Sequence, residues 1–318
     1  MAPMELPDIV ALYLENLDLK LVSINSYRSV LGTYLLYLKK NGILHPKRTD
    51  IIHYREHLRN KGSKAATIQK QMIVLKSFYK WARINCRNYG ISEHYAFDIA
   101  EGIRGAKIEA TYKKEPLDLH QAKRLIETAH QYVDTIQGAR NYAMVILMLV
   151  TGLRAIEVSR ALRSDLSSME GTNVLYIQGK GRDDKDLFVK LPSEVMTAIH
   201  HYFQMRTDQD SHLFVSHSHS VRDQGITTKT IQESIRELMM QADVWGPKIS
   251  VHSLRHTCAY LNIKAGGSLE ATQQLLRHRN IDTTLIYAHN INRVKDESEY
   301  RIANTLFSTK GLEEHHEE

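Results

Sequence analysis

Arg154 stands in Thr151-Gly152-Leu153-Arg154-Ala155-Ile156-Glu157, just after a glycine turn and at the start of a helical pattern. Lys180 lies between Gly179 and Gly181 in a charged loop. His252-Ser253-Leu254-Arg255-His256 opens another helix, and the spacing of i and i+3 aims His252 and Arg255 from one face. Leu275-Leu276-Arg277-His278 closes a helix, and Tyr287 follows nine residues after His278. Guanidiniums bind oxyanions through charge-assisted, planar hydrogen bonds. Imidazoles move protons near neutral pH. A phenol with an ordinary pKa near 10 needs a cationic surround to become a nucleophile. The set therefore has the parts to grip an anionic ester and attack it.

Each residue also has an ordinary role to weigh. Arg154 would serve as a surface arginine, Lys180 as a solvated turn lysine, and Tyr287 as a core side chain. His252 and His256, four apart, have a spacing that zinc uses, but Ser253 takes the place of the glutamate in the metalloprotease pattern. A site that binds phosphate without reacting would use the arginines and the lysine but leaves Tyr287 without a purpose.

Helices must position these groups. In the first hundred residues, apolar steps of three and four run from Tyr27 through Leu38 in a helix opening at Ser26 and stopping at Asn41-Gly42. A second such stripe runs from Ile68 to Ala82, opening at Ser63, and shorter patterns cover 8–17 and 50–58. This region reads as a small all-helical bundle. Its lysines and arginines, from Lys20 and Arg28 to Lys70 and Lys76, suit either a solvated surface or a DNA-binding face. From Gly102 to Glu115 no apolar period survives, which indicates a linker. Asp118 is a good N-cap for a helix over 119–133. Beyond it the pattern predicts helices over 140–150, 155–162, 193–205, 228–242, 252–265, 269–276, 281–288 and 293–306. Val174–Gln178 and Leu187–Leu191 read as a β-hairpin around the loop that carries Lys180. The domain boundaries expected are 1–104 for a helical domain, 105–115 for the linker, 116–310 for a larger α+β domain, and 311–318 for a disordered tail.

Composition limits the alternatives. Lys and Arg number 42 against 36 Asp and Glu, a formal net charge of +6, which permits nucleic acid without requiring it. Two cysteines, Cys86 and Cys258, exclude a disulfide scaffold and a four-cysteine zinc module. The first residues show neither the basic nor the apolar segment of a signal peptide. The apolar run 143–150 is far below the roughly 20 residues that span a bilayer. A cytoplasmic protein without a membrane partner is expected.

Taken in order, Arg154, Lys180, His252-x-x-Arg255, His278 and Tyr287 resemble the tyrosine recombinases of the phage integrase family, particularly compact Xer-like and mobile-element integrases. Thr151-Gly-Leu-Arg-x-x-Glu157 is similar to the family's first arginine box and Gly179-Lys180-Gly181 to its lysine hairpin. His252-x-x-Arg255-His256 is similar to the second box, and Leu275-Leu276-x-His278 with Thr284-x-x-Tyr287 to the third. Two departures stand out. Arg277 occupies a position usually held by glycine, and Ala155-Ile156 replaces a small polar residue before Glu157.

The resemblance implies a mainly α fold with a small β component, built from an N-terminal SAM-like core-binding domain and a catalytic domain with a C-terminal exchange helix. It implies site-specific cutting and rejoining of DNA through a 3′-phosphotyrosyl intermediate, integrating or excising a mobile element. Xer-type multimer resolution is the alternative. It assigns Arg154, Lys180, His252, Arg255, His278 and Tyr287 to catalysis and Glu157 to orienting them, with no cofactor and no metal. The partners implied are double-stranded DNA gripped between two domains, a homotetramer on paired sites, and, as a candidate, an accessory DNA-bending protein. The segment 293–307, with Val294, Ile302, Leu306 and Phe307, would dock either on a neighbouring protomer or back on its own domain. Type IB topoisomerase-like relaxation and non-catalytic DNA binding are the readings from other classes.

Overall fold

The computed structural model describes residues 4–107, 114–178, 184–218, 224–277 and 298–307. The chain divides into two compact units, 1–111 and 112–318.

The first unit is helical: α1 (Leu6–Glu15), α2 (Leu21–Lys40), α3 (Arg48–Asn60) and α4 (Ala65–Asn85), followed by a single 3-10 turn at Glu93–Tyr95. The apolar stripes meet in one core of Ile9, Leu31, Ile51, Met72, Leu75 and Phe78, together with Tyr13, Tyr34, Tyr54 and Tyr79. The tyrosines bury their rings and pair their hydroxyls, as buried polar groups must. Tyr34 and Tyr79 share a hydrogen bond of 3.0 Å, Tyr54 donates to Gln71 at 3.0 Å, and Tyr13 donates to Ser77 at 2.8 Å. One expectation is corrected here, because α2 begins at Leu21 and not at Ser26. Its first turn hangs on the carbonyl of Lys20, while Leu21 and Val22 are exposed. Within that turn Ile24 alone packs against the core, too little to mark a period of its own.

The second unit is built on α6 (Ile136–Thr151), in which Ala139 and every residue from Ala143 to Leu149 is buried. Around it pack α5 (Leu119–His130), α8 (Ser193–Met205) and α10 (Ser253–Lys264), with α7 (Ala155–Arg160), α9 (Thr228–Gln241) and α11 (Leu269–Leu276) completing the layer. A last helix, α12, spans Ser298–Phe307. Asp118 caps α5 by accepting from the Gln121 amide at 2.8 Å, as its position predicts. The expected helix over 281–288 and the start of that over 293–306 lie outside the described residues.

The sheet is antiparallel in the order β1 (Leu166–Met169), β2 (Thr172–Ile177), β3 (Leu187–Lys190). The hairpin of β2 and β3 pairs Ile177 with Leu187. The strand β1 was not expected. Leu166-Ser-Ser-Met169 is short and without alternation, and only the two-residue turn Glu170-Gly171, both with positive φ, folds it onto β2.

Near the expected linker, Ala106 packs against the first core. Glu115 belongs to the second unit, where its amide donates to the Lys248 carbonyl at 3.0 Å and its carboxylate pairs with Lys248 at 2.6 Å. Residues 108–113 and the tail lie outside the described residues. Mainly helical with one small sheet, the architecture matches the fold class expected from sequence.

Candidate functional site

The C-terminus of α6 makes the turn that presents Arg154. Gly152 closes the helix in the left-handed region at φ 63°, and a Cβ there would stand 2.6 Å from Leu276 Cδ2. Both conformation and space demand glycine. Arg154 follows as the N-cap of α7. Its backbone amide donates to Glu157 Oε2 at 2.8 Å and its Nη1 to Glu157 Oε1 at 2.9 Å. Glu157 is 1% exposed and Arg154 26%. A buried carboxylate thus fixes an arginine whose guanidinium still reaches solvent.

Arg255 comes to the same turn from 103 residues away. It lies in the first turn of α10 and is 2% exposed. Its Nη1 donates to the Gly152 carbonyl and its Nη2 to the Leu276 carbonyl. Burial first, and then the guanidiniums of Arg154 and Arg277, push its pKa down to about 9, against the pull of Glu157. Like charges have been brought together in a desolvated place. Beneath them Cys258 donates to the Val150 carbonyl at 3.3 Å, and burial pushes its thiol up to about 11.

His252 is the N-cap of α10. It is exposed, so it does not share the buried environment of Arg255 despite the spacing of three. Its ring meets that of His256 edge-on at 4.7 Å. Lys180, His278 and Tyr287 lie outside the described residues. The structure therefore brings together Arg154, Glu157 and Arg255, with His252 at the N-terminus of the helix that carries Arg255.

Three features escaped sequence reasoning. Arg277, noted only as a departure in a motif, turns its side chain into this cluster: its Nη2 lies 3.4 Å from Glu157 Oε2. Lys185, by its place in the same loop the rival of Lys180 as general acid, is held by a partner that sequence did not show, Asp165, with Nζ 2.8 and 2.6 Å from the two carboxylate oxygens. No spacing rule links Asp165 to Lys185; only the sheet does, by setting β1 and β3 on either side of β2. In the first unit Arg48 donates to the carbonyls of Ile99 and Glu101, and Arg55 donates to that of Arg104 at 2.8 Å. Part of that unit's basic character ties down its own C-terminal segment.

What the cluster can do follows from its charges. Arg154 and Arg277 share the Glu157 carboxylate and Arg255 holds the adjoining turn, an excess of cation beside a partly open guanidinium. Such a site favours an anion with several oxygens and stabilises charge that develops on them.

Comparison with known proteins agrees on one family. The model of the phage integrase family matches residues 115–293, and that of the phage integrase N-terminal SAM-like domain matches residues 10–84. The tyrosine recombinase XerA of Pyrococcus furiosus is 29% identical over 242 residues, 76% of each chain. The tyrosine recombinase XerD of Ralstonia nicotianae is 29% identical over 287 residues, covering 88% of this chain and 87% of that one. Among solved structures, XerH recombinase bound to a palindromic difH substrate superposes with a TM-score of 0.70 at 20% identity, covering 88% of this chain and 79% of its own. The lambda integrase tetramer bound to a Holliday junction gives 0.66 at 15% identity, covering 90% and 78%. These two likenesses concern the fold.

Proposed function

This chain belongs to the phage integrase family and is a tyrosine-type site-specific recombinase, and from that premise we propose that Arg154 and Arg255 clamp the scissile phosphate while Tyr287 attacks it. The observation that carries the assignment is the convergence of Arg154 and Arg255 on one turn, held by Glu157 and by the Gly152 carbonyl.

The phenol oxygen of Tyr287 attacks phosphorus and the bond to the 5′-oxygen breaks. The phenol proton passes to an imidazole, His252 or His278. Lys180 delivers a proton to the departing 5′-oxygen; Lys185, engaged by Asp165, is not free for that task. In the pentavalent transition state the negative charge falls on the non-bridging oxygens, where the two guanidiniums stabilise it. Attack by the 5′-hydroxyl of a partner strand on the phosphotyrosine reverses the step and rejoins the DNA. One phosphodiester replaces another, so no ATP is consumed. The arginines supply the charge that a metal would otherwise bring.

Strand exchange needs two duplexes, and a tetramer of this chain on paired sites is the assembly proposed. The tetrameric lambda integrase on a Holliday junction supports it, as does the exposure of Tyr300 and Ile302 on α12, which suits docking on a neighbouring protomer. An accessory DNA-bending protein is part of the proposal for sites that must be folded. No helix among the described residues is long and apolar enough to cross a membrane. Work on DNA in the cytoplasm is the location proposed.

The biological role proposed is integration and excision of a mobile element. The Xer-type relatives support a second reading, resolution of chromosome or plasmid multimers, which uses the same chemistry on different sites. One experiment addresses both. Purified protein is incubated with fragmented DNA of its own host, covalent adducts are trapped, and the attached DNA is sequenced. Wild type should yield adducts and Tyr287→Phe none, while both bind duplex alike. An adduct formed by the Phe variant would remove Tyr287 from the mechanism. Recovered sites flanking an element support integration; a single chromosomal or plasmid site supports resolution.

A further inference from the structure

Arg277 adjoins the cluster and takes no part in the chemistry above. It ends α11 in the left-handed region, with φ 55° and ψ 41°, where a side chain carries a steric cost that glycine avoids. The guanidinium is turned inward and only 9% of the side chain is exposed. Nη1 donates to the Leu275 carbonyl at 2.7 Å and reaches the Thr151 carbonyl at 3.4 Å. Nη2 reaches Glu157 Oε2 at 3.4 Å, and Nε is buried with no hydrogen-bond acceptor among the described residues. A strained backbone thus delivers a buried cation to the carboxylate that already holds Arg154.

That placement has an electrostatic consequence. If Arg154 alone faced Glu157, the carboxylate would cancel most of its charge and draw it inward. A second cation on Oε2 shares the carboxylate, so more of the Arg154 charge is left for an approaching phosphate. Arg277 also grips Thr151, at the start of the turn that ends in Arg154, while Arg255 grips Gly152 in the same turn. We propose that Arg277 is a positioning residue for DNA cleavage, which through Glu157 and the 151–154 turn holds Arg154 charged and in register with Arg255. This rests on the reading that those two arginines clamp the phosphate.

The test compares wild type with Arg277→Gly, Arg277→Lys, Glu157→Gln and the double variant Arg277→Lys/Glu157→Gln. The substrate is a nicked duplex carrying a site recovered from the covalent adducts. Glycine suits the left-handed backbone, so Arg277→Gly should keep its melting temperature and its affinity for the duplex. Its single-turnover cleavage at saturating protein should fall about 10- to 100-fold, the loss typical when partners that orient working ligands are removed. Free guanidinium at millimolar concentration should restore part of the rate, whereas sodium chloride at equal ionic strength should not. At millimolar concentration guanidinium is far too dilute to denature, so recovery of the rate reports a cation returned to the vacated place. The lysine variant, charged but without the planar fork, should cleave at an intermediate rate, and its defect should vanish in the Glu157→Gln background.

Wild-type cleavage by Arg277→Gly would overturn the proposal. So would strictly additive losses in the Lys/Gln cycle, which remains readable even if the glycine variant unfolds. Failure of the underlying reading looks different: Tyr287→Phe would then still form the adduct, or Arg154→Ala would cleave at the full rate.

Discussion

The two units bury polar groups in opposite ways. The core of the first unit is polar but neutral: tyrosine hydroxyls bonded to one another, to Gln71 and to Ser77. The second unit buries charge, with Arg255 and Glu157 almost fully enclosed and Arg277 nearly so. Neutral pairs are satisfied once they are made, and nothing further is asked of them. The arginine cluster has hydrogen bonds but an excess of positive charge. Its geometry is complete while its electrostatics await an anion. That difference separates a unit built to hold its shape from one built to bind and react.

The comparison is broken most severely at Arg255. Arg255→Ala should lower single-turnover cleavage about 10²–10³-fold, or about 2.7–4 kcal/mol of transition-state stabilisation, as for the loss of one oxyanion donor. The same change frees the Gly152 and Leu276 carbonyls, so a urea titration should show the second unit weakened as well. Wild-type cleavage would detach Arg255 from the chemistry.

Glu157→Gln comes next. It leaves two guanidiniums facing a neutral amide, and breaking such a buried pair costs about 3 kcal/mol. Thermal unfolding should show the loss in the second unit, with the first unit unmoved. A variant as stable as wild type would mean that the arginines do not need their carboxylate for folding.

Tyr79→Phe probes the other side of the contrast. It strands the Tyr34 hydroxyl in the first core, at a cost of about 1–3 kcal/mol. Cleavage by the fully bound protein should be unchanged, because no charge in the second unit is touched. A fall in cleavage at saturating DNA would show that the neutral core reaches into the chemistry.

The mildest perturbation is alkaline pH. Burial raises the pKa of Tyr13, Tyr34, Tyr37, Tyr54 and Tyr79 above 10 and that of Tyr95 to about 12. The folded state therefore favours the neutral phenol. This stabilisation is whole below pH 10 and is lost as the pH climbs through 12. Among its described residues the second unit has Tyr202 and Cys258 raised in the same way, fewer such groups than the first. Circular dichroism and tyrosinate absorbance, followed together, should show the first unit giving way at the lower pH. Simultaneous loss would mean that the phenols contribute little.

What the sequence determined by itself is what local chemistry specifies. Periods of three and four marked the stripes on α2 and α4, Asp118 announced the cap of α5, and two strand-like runs on either side of one charged, glycine-bearing loop announced the hairpin of β2 and β3. The arginine of Thr151-Gly152-Leu153-Arg154 was legible because a glycine turn before a helix presents whatever follows it. Tertiary structure decided the rest, where the partner of a group lies far along the chain. The first turn of α2 gives the core only Ile24, too thin a pattern to read, and β1 exists only because Glu170-Gly171 turns it onto β2. Asp165 takes Lys185 across twenty residues. Arg255 meets the turn of Arg154 across more than a hundred, and Arg277 brings a second cation to Glu157 from 120 residues away. Spacing along a chain reports which side chains share a helix face or a turn. Which distant charges share one carboxylate depends on how α6, α10 and α11 pack, because burial strengthens those interactions and packing alone sets their distances.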